Sequence, residues 1–122
     1  MSIMSLIAII DDDESLRQAL EGFVRSLGHR AAGFASAEAF LAAGDIAGYD
    51  CLISDIQMPG LSGIELKHLL TERHYRLPAI LITARSDPGL AEKAQASGAL
   101  CLLKKPFEAD MLIACIDRAL AN

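Results

Sequence analysis

Short apolar runs alternating with amphipathic helical stretches predict an α/β fold: a five-stranded parallel sheet, doubly wound, with helices on both faces. Three features of the chain carry that prediction. Apolar runs recur at Leu6 to Ile10, Cys51 to Ser54, Leu77 to Thr83 and Leu100 to Leu103, with a weaker one at His29 to Phe34. Between them lie segments with apolar residues at helical spacing. The connections are short, and no shift of composition marks a linker, so the whole of residues 1–122 reads as one domain.

The first run stops abruptly at Asp11, Asp12, Asp13 and Glu14. Leu16, Ala19, Leu20, Phe23, Val24 and Leu27 then form the stripe of one long helix, its acidic start suited to the helix dipole and Gly28 its stop. After the weak second strand, Ser36 is an N-cap for a short helix carrying Ala39, Phe40 and Leu41, with Glu38 in its first turn. The third strand ends at Asp55, followed by a Pro-Gly loop. Ser62 and Glu65 have capping-box spacing and open a helix with Ile64, Leu66, Leu69 and Leu70 on its apolar positions. Asp87-Pro88 reads as an N-cap followed by Pro at the first helical position, for a helix reaching about Ser97 and stopped by Gly98. Pro106 sets the turn before a last helix from Glu108 to Leu120. Five such units fit the flavodoxin-like strand order 2-1-3-4-5, whose ligand crevice lies beyond the carboxyl ends of strands 1 and 3.

Composition narrows the function classes. The chain is 52% hydrophobic and 22% charged, which suits a compact soluble domain and argues against disorder. Its net charge is −5, and no Lys/Arg cluster stands out, the opposite of a phosphate-backbone-binding surface. The N-terminus lacks the basic region of a signal peptide, and no apolar stretch approaches the roughly 20 residues needed to span a bilayer. Cys51, Cys101 and Cys115 are widely spaced, without a Cys-x-x-Cys pair, and read as small buried hydrophobes in a reducing compartment, the cytoplasm.

In this topology Asp11 and Asp12 end strand 1 beside Asp55 at the end of strand 3, while Thr83 ends strand 4 and Lys105 ends strand 5. Converging carboxylates raise one another's pKa values, and a hard divalent cation, naturally Mg²⁺, relieves the repulsion. An aspartate so placed can attack phosphorus, with a lysine, a hydroxyl and backbone N–H groups around the transferring oxygens. The competing explanation of Asp11 to Asp13, an acidic helix start, leaves Asp55 and Lys105 unaccounted for. His29, His68 and His74 are scattered without ligand spacing.

Four motifs, Ile9-Ile10-Asp11-Asp12, Asp55-Ile-Gln-Met-Pro-Gly-Leu-Ser-Gly63, Ile82-Thr83-Ala84 and Lys105-Pro106-Phe107, occur in order across the chain. Together they resemble the receiver domain of two-component response regulators, and Ser36 to Leu41 with Lys105 to Glu108 looks closest to the FixJ-like branch. The resemblance implies that Asp55 is the phosphoacceptor, charged by a histidine kinase or a small phosphodonor. It implies Mg²⁺ held by Asp12 directly, Asp11 mainly through water, Asp55, and the backbone carbonyl of Gln57. Thr83 would hydrogen-bond the phosphoryl group and move on activation, and Lys105 would pair with Asp55 and the phosphate through a cis peptide to Pro106. One position departs from the family pattern: Leu102 stands where many receivers carry an aromatic residue that swings with the Thr.

Other functions fit less well. A haloacid-dehalogenase-type phosphatase wants a second Asp where this chain has Gln57, and a flavodoxin-like electron carrier would find its flavin phosphate facing Asp11 to Glu14. A binding-only pseudo-receiver would lack one of the acids or the Lys, and all are here. The last helix, Met111 to Ile116, is apolar on more than one face, which either packs a tight corner or offers a partner surface. Family members commonly use the face of the fourth helix, fifth strand and fifth helix for dimers or for targets, and Glu92, Lys93 and Lys104 decorate it here. No helix-turn-helix fits within the chain, so direct nucleic-acid binding is not expected of it.

Overall fold

A computed structural model describes residues 4–121. In chain order the elements are β1 (Leu6–Ile10), α1 (Glu14–Ser26), β2 (Arg30–Phe34), α2 (Ala37–Ala43), a 3-10 turn at Ile46–Gly48, β3 (Cys51–Asp55), α3 (Gly63–Glu72), β4 (Ala79–Thr83), α4 (Leu90–Ala96), β5 (Cys101–Lys104) and α5 (Ala109–Leu120). The strands are all parallel in the order β2-β1-β3-β4-β5, as the alternating pattern predicts. No helix among the described residues is long and apolar enough to cross a membrane.

Strand alternation divides the core. Ile7, Ile9, Cys51, Ile53, Ile80, Ile82 and Leu103 point to one side, against Leu20 and Val24 of α1 and Leu112, Cys115, Ile116 and Ala119 of α5. Ala8, Ile10, Leu52 and Ala79 point to the other, against Phe40 of α2 and Leu66 and Leu70 of α3. A smaller cluster of Ile56, Leu81 and Ala94 lies under α4. Every residue of β3 and β4 is buried, which is why these runs are continuously apolar rather than alternating. The second strand is weak in sequence because it is a partly exposed edge.

The caps explain most boundaries. Ser36 accepts from Ala39 N at 3.0 Å, and Ser62 and Glu65 complete the expected capping box at 3.1 and 2.9 Å. Gly28, with φ +94°, ends the first helix as expected. The fourth helix is the exception. It begins at Leu90, with Gly89 at φ +79° as its cap, and not at Pro88. Asp87 does not cap it, because its carboxylate is held by Arg85 Nε at 2.9 Å and its carbonyl closes a turn to Leu90 N at 3.2 Å. The remaining shifts are small: β5 starts one residue later than expected, and Glu108 caps α5 instead of belonging to it. The fourth strand begins after Pro78, whose carbonyl still accepts from Leu52 N at 2.9 Å.

Candidate functional site

The carboxyl ends of β1, β3, β4 and β5 converge on one rim. Strand order makes β1 and β3 neighbours, with Ile10 paired to Ser54, so Asp11 just past β1 and Asp55 at the end of β3 meet although more than forty positions separate them. Carboxylate oxygens of Asp11, Asp12 and Asp55 all lie within 4.8 Å of one another. Asp55 also faces Lys105, with Nζ 3.7 Å from Oδ1. Lys105 is positioned by its own backbone N–H, which donates to the Thr83 carbonyl at 2.7 Å, and by a cis bond to Pro106.

The acidic run at the end of β1 divides its labour. Asp13 is the helix cap, accepting from Leu16 N at 3.2 Å. Asp12 is exposed, whereas Asp11 is buried and accepts from Asp13 N at 2.9 Å. Helix-start chemistry thus accounts for Asp13 and leaves the buried Asp11 and the exposed Asp12 to the carboxylate cluster. Arg17, one turn into α1, donates to the Asp11 carbonyl at 2.8 Å and fixes this corner. Nothing in the sequence pattern singled Arg17 out, because its partner is a backbone atom.

Burial pushes both Asp11 and Asp55 above the ordinary carboxylate value. At Asp55, Lys105 opposes that rise while Asp11 and Asp12 add to it. At Asp11 the Asp13 N–H and Lys105 oppose it, and Asp12 and Asp13 add to it. The donor set is all oxygen, partly buried and anionic, which is what a hard divalent cation such as Mg²⁺ requires.

Thr83, at the end of β4, is buried, and its hydroxyl is already committed. Oγ1 donates to Gln57 Oε1 at 2.8 Å and accepts from Arg85 N at 3.0 Å. The Gln57 side chain therefore has a partner that the sequence reading, concerned with its backbone carbonyl, did not anticipate. Glu38 is a second addition. It accepts from Leu61 N at 2.8 Å, tying α2 to the loop that follows Asp55, and that hydrogen bond lowers its pKa. Leu102 is half-buried against the Ile56, Leu81 and Ala94 cluster under α4, so an aliphatic side chain fills the position often taken by an aromatic ring.

Residues 7–117 match the family model of the response regulator receiver domain. The chain belongs to that family. It is 38% identical over 120 residues to the transcriptional regulatory protein FixJ of Bradyrhizobium diazoefficiens, covering 98% of this chain and 58% of FixJ. It is 40% identical over 114 residues to the DNA-binding transcriptional regulator NtrC of Klebsiella pneumoniae, covering 93% of this chain and 24% of NtrC. Among solved structures, FixJ-N superposes with a TM-score of 0.89 at 35% identity over 100% of this chain and 97% of FixJ-N. The BeF3-activated DrrB receiver domain superposes at 0.88 with 28% identity, covering 98% of this chain and all of that one. The FixJ-like resemblance read from the motifs is thus supported in sequence and in fold. The chain spans 24% of the length of NtrC and 58% of that of FixJ, the curated relatives named here.

Proposed function

We propose that this receiver domain accepts a phosphoryl group on Asp55 and thereby switches an output partner or domain in a phosphorelay. The observation that carries the reading is the position of Asp55: at a strand end, among two further carboxylates, with Lys105 Nζ 3.7 Å away. A carboxylate oxygen of Asp55 attacks phosphorus of a phosphohistidine on a sensor histidine kinase, or of a small acyl phosphate. The P–O bond to Asp55 forms as the bond to the imidazole nitrogen or acyl oxygen breaks, and the leaving group departs with its electron pair. Lys105 balances charge on the transferred group, and the Thr83 hydroxyl supplies a donor once it leaves Gln57. Asp11, Asp12, Asp55 and the Gln57 backbone carbonyl would hold Mg²⁺, which supplies positive charge against the clustered carboxylates and phosphoryl oxygens.

On this reading the domain is a phosphoacceptor and not a turnover enzyme. Gln57 stands where a dehalogenase-type phosphatase would need its acid, which supports that assignment. On the same reading the domain works in the cytoplasm with a sensor histidine kinase as its partner, and one domain covers the given sequence. The α4, β5 and α5 face is the surface proposed for a phosphorylation-promoted homodimer, with neither nucleic acid nor membrane bound by this chain directly.

Intact-protein mass after incubation with acetyl phosphate tests the proposal. The expected result is a gain of one phosphoryl group that requires Mg²⁺ and is absent in Asp55→Asn. Labelling that persists in Asp55→Asn would move the acceptor elsewhere. Wild type that binds Mg²⁺ yet is labelled by neither acetyl phosphate nor a phosphorylated kinase would make the domain a binding module.

A further inference from the structure

Two cysteines fourteen positions apart in sequence share one core cluster between β5 and α5. Cys101 pairs with Ile80 in the sheet, and its side chain packs on the core cluster that contains Cys115. Arg118 brings Nη1 to 3.4 Å from Cys101 Sγ. Cys115 and Arg118 are spaced i and i+3, so they share one face of α5 and the helix turns both toward the same strand. Cys101 is half-buried and open to small reagents, whereas Cys115 and Cys51 are buried. Burial pushes the Cys115 thiol up to about 12, with the adjoining Cys101 side chain as the next cause. A partly exposed sulfur beside a guanidinium is the setting in which cysteine reactivity concentrates. Among the described residues the cluster with metal-ligand spacing is the carboxylate one, so a thiolate metal centre is not indicated here.

We propose that Cys101 and Cys115 form an oxidation site, at which a hydroperoxide converts Cys101 to the sulfenic acid and Cys115 closes an intramolecular disulfide between β5 and α5. The deprotonated sulfur of Cys101 attacks the terminal peroxide oxygen. The O–O bond breaks, and with hydrogen peroxide the departing hydroxide leaves as water. The Cys115 sulfur then attacks the Cys101 sulfur. The S–O bond breaks, and a second water carries off the Cys115 proton. Overall, two thiols and one hydrogen peroxide give one disulfide and two waters. The two elements are suited to closing the bond: among the described residues β5 is an edge strand paired only with β4, and α5 is the last helix. Cys51 is the wrong partner, because it sits fully buried within β3 with its thiol directed to the Leu52 carbonyl at 3.8 Å. The bond would lie next to Leu102 and on the strand that leads to Lys105, tying the last strand to the last helix.

The test uses the whole chain treated with stoichiometric hydrogen peroxide, then denatured and blocked with a maleimide before mass measurement. Untreated protein, whose three cysteines are all free, is expected to carry three adducts. Oxidised protein is expected to carry one adduct, on Cys51, and to regain all three after reduction, with Cys101 and Cys115 in one cross-linked peptide. Arg118→Gln is expected to slow closure several-fold while leaving the thermal midpoint near that of wild type. Cys115→Ala is expected to leave Cys101 as a sulfenic acid that dimedone traps. Three adducts surviving the peroxide would overturn the proposal. So would a disulfide through Cys51 or between chains, or sulfinic acid on Cys101 with Cys115 still free. The readout does not depend on phosphoryl transfer, so it stands or falls apart from the role assigned to Asp55.

Discussion

At the scale of single residues, the least expected contact is the one that holds Thr83. Its hydroxyl donates to the Gln57 side chain at 2.8 Å, while the proposed chemistry asks it to face a phosphoryl group on Asp55. Both cannot be satisfied by one proton. Gln57 therefore competes with the phosphoryl group for the same donor, and removing it should favour the phosphorylated arrangement. A neutral hydrogen bond contributes a net stabilisation of about 1 kcal/mol, or roughly fivefold in an equilibrium. Gln57→Ala is expected to raise the steady-state fraction of Asp55 phosphorylated by acetyl phosphate by up to about that factor. Quantifying phosphorylated and free protein on a Phos-tag gel checks it, and a fraction equal to or below wild type would show that Gln57 does not restrain Thr83. This contact was not legible in the sequence. Gln57 and Thr83 are 26 positions apart, and which way an amide side chain turns depends on the loop's final course. The acidic and basic members of the site were legible, because strand ends are set by pattern and the strand order brings them together.

At the scale of elements, two glycines show how local geometry sets the position of Asp55. Gly63 opens α3, and a Cβ there would collide with the Asp55 carbonyl oxygen and come within 3.2 Å of Ile56 Cα. Both are backbone atoms that cannot swing aside. The missing side chain thus lets the helix start seat directly against the end of β3. Gly22 lies within α1 with nothing within 4 Å of where its Cβ would be. The same substitution should therefore have opposite signs at the two sites. Gly63→Ala is expected to lower stability by about 1–3 kcal/mol, the usual cost of overpacking. Gly22→Ala is expected to raise it by about 0.5–1 kcal/mol through helix propensity and a less flexible unfolded chain. Urea denaturation of both variants checks the pair, and Gly63→Ala at or above wild-type stability would refute the close-approach argument. Element boundaries followed the sequence wherever a side chain caps a helix, as at Ser36 and Ser62. They failed at α4, where Asp87 has a capping residue's chemistry but Arg85 claims its carboxylate.

At the scale of the whole molecule, the site costs the fold stability. Asp11 and Asp55 are held mostly out of water beside Asp12, and Lys105 answers only part of that charge. Both carboxyls bind their protons more tightly in the folded chain than at the ordinary value of 3.8. Between that value and the raised folded one, the folded state holds more protons than the unfolded state. Stability from these groups is therefore greatest below 3.8, falls as pH climbs through the window, and stays reduced at neutral pH. Replacing Asp55 by Asn removes one of the buried charges while keeping its shape. Without divalent cations, Asp55→Asn is expected to melt above wild type at pH 7, with the difference narrowing as pH falls toward 3.8. Added Mg²⁺ should narrow it from the other direction, by stabilising wild type more than the variant. Thermal melts of both proteins across pH, with and without Mg²⁺, decide the matter. A variant that melts at or below wild type at pH 7 would mean that the Lys105 contact outweighs the carboxylate crowding. The Asp55 carboxylate would then be held by a favourable ion pair, and the tension assigned to this rim would be absent.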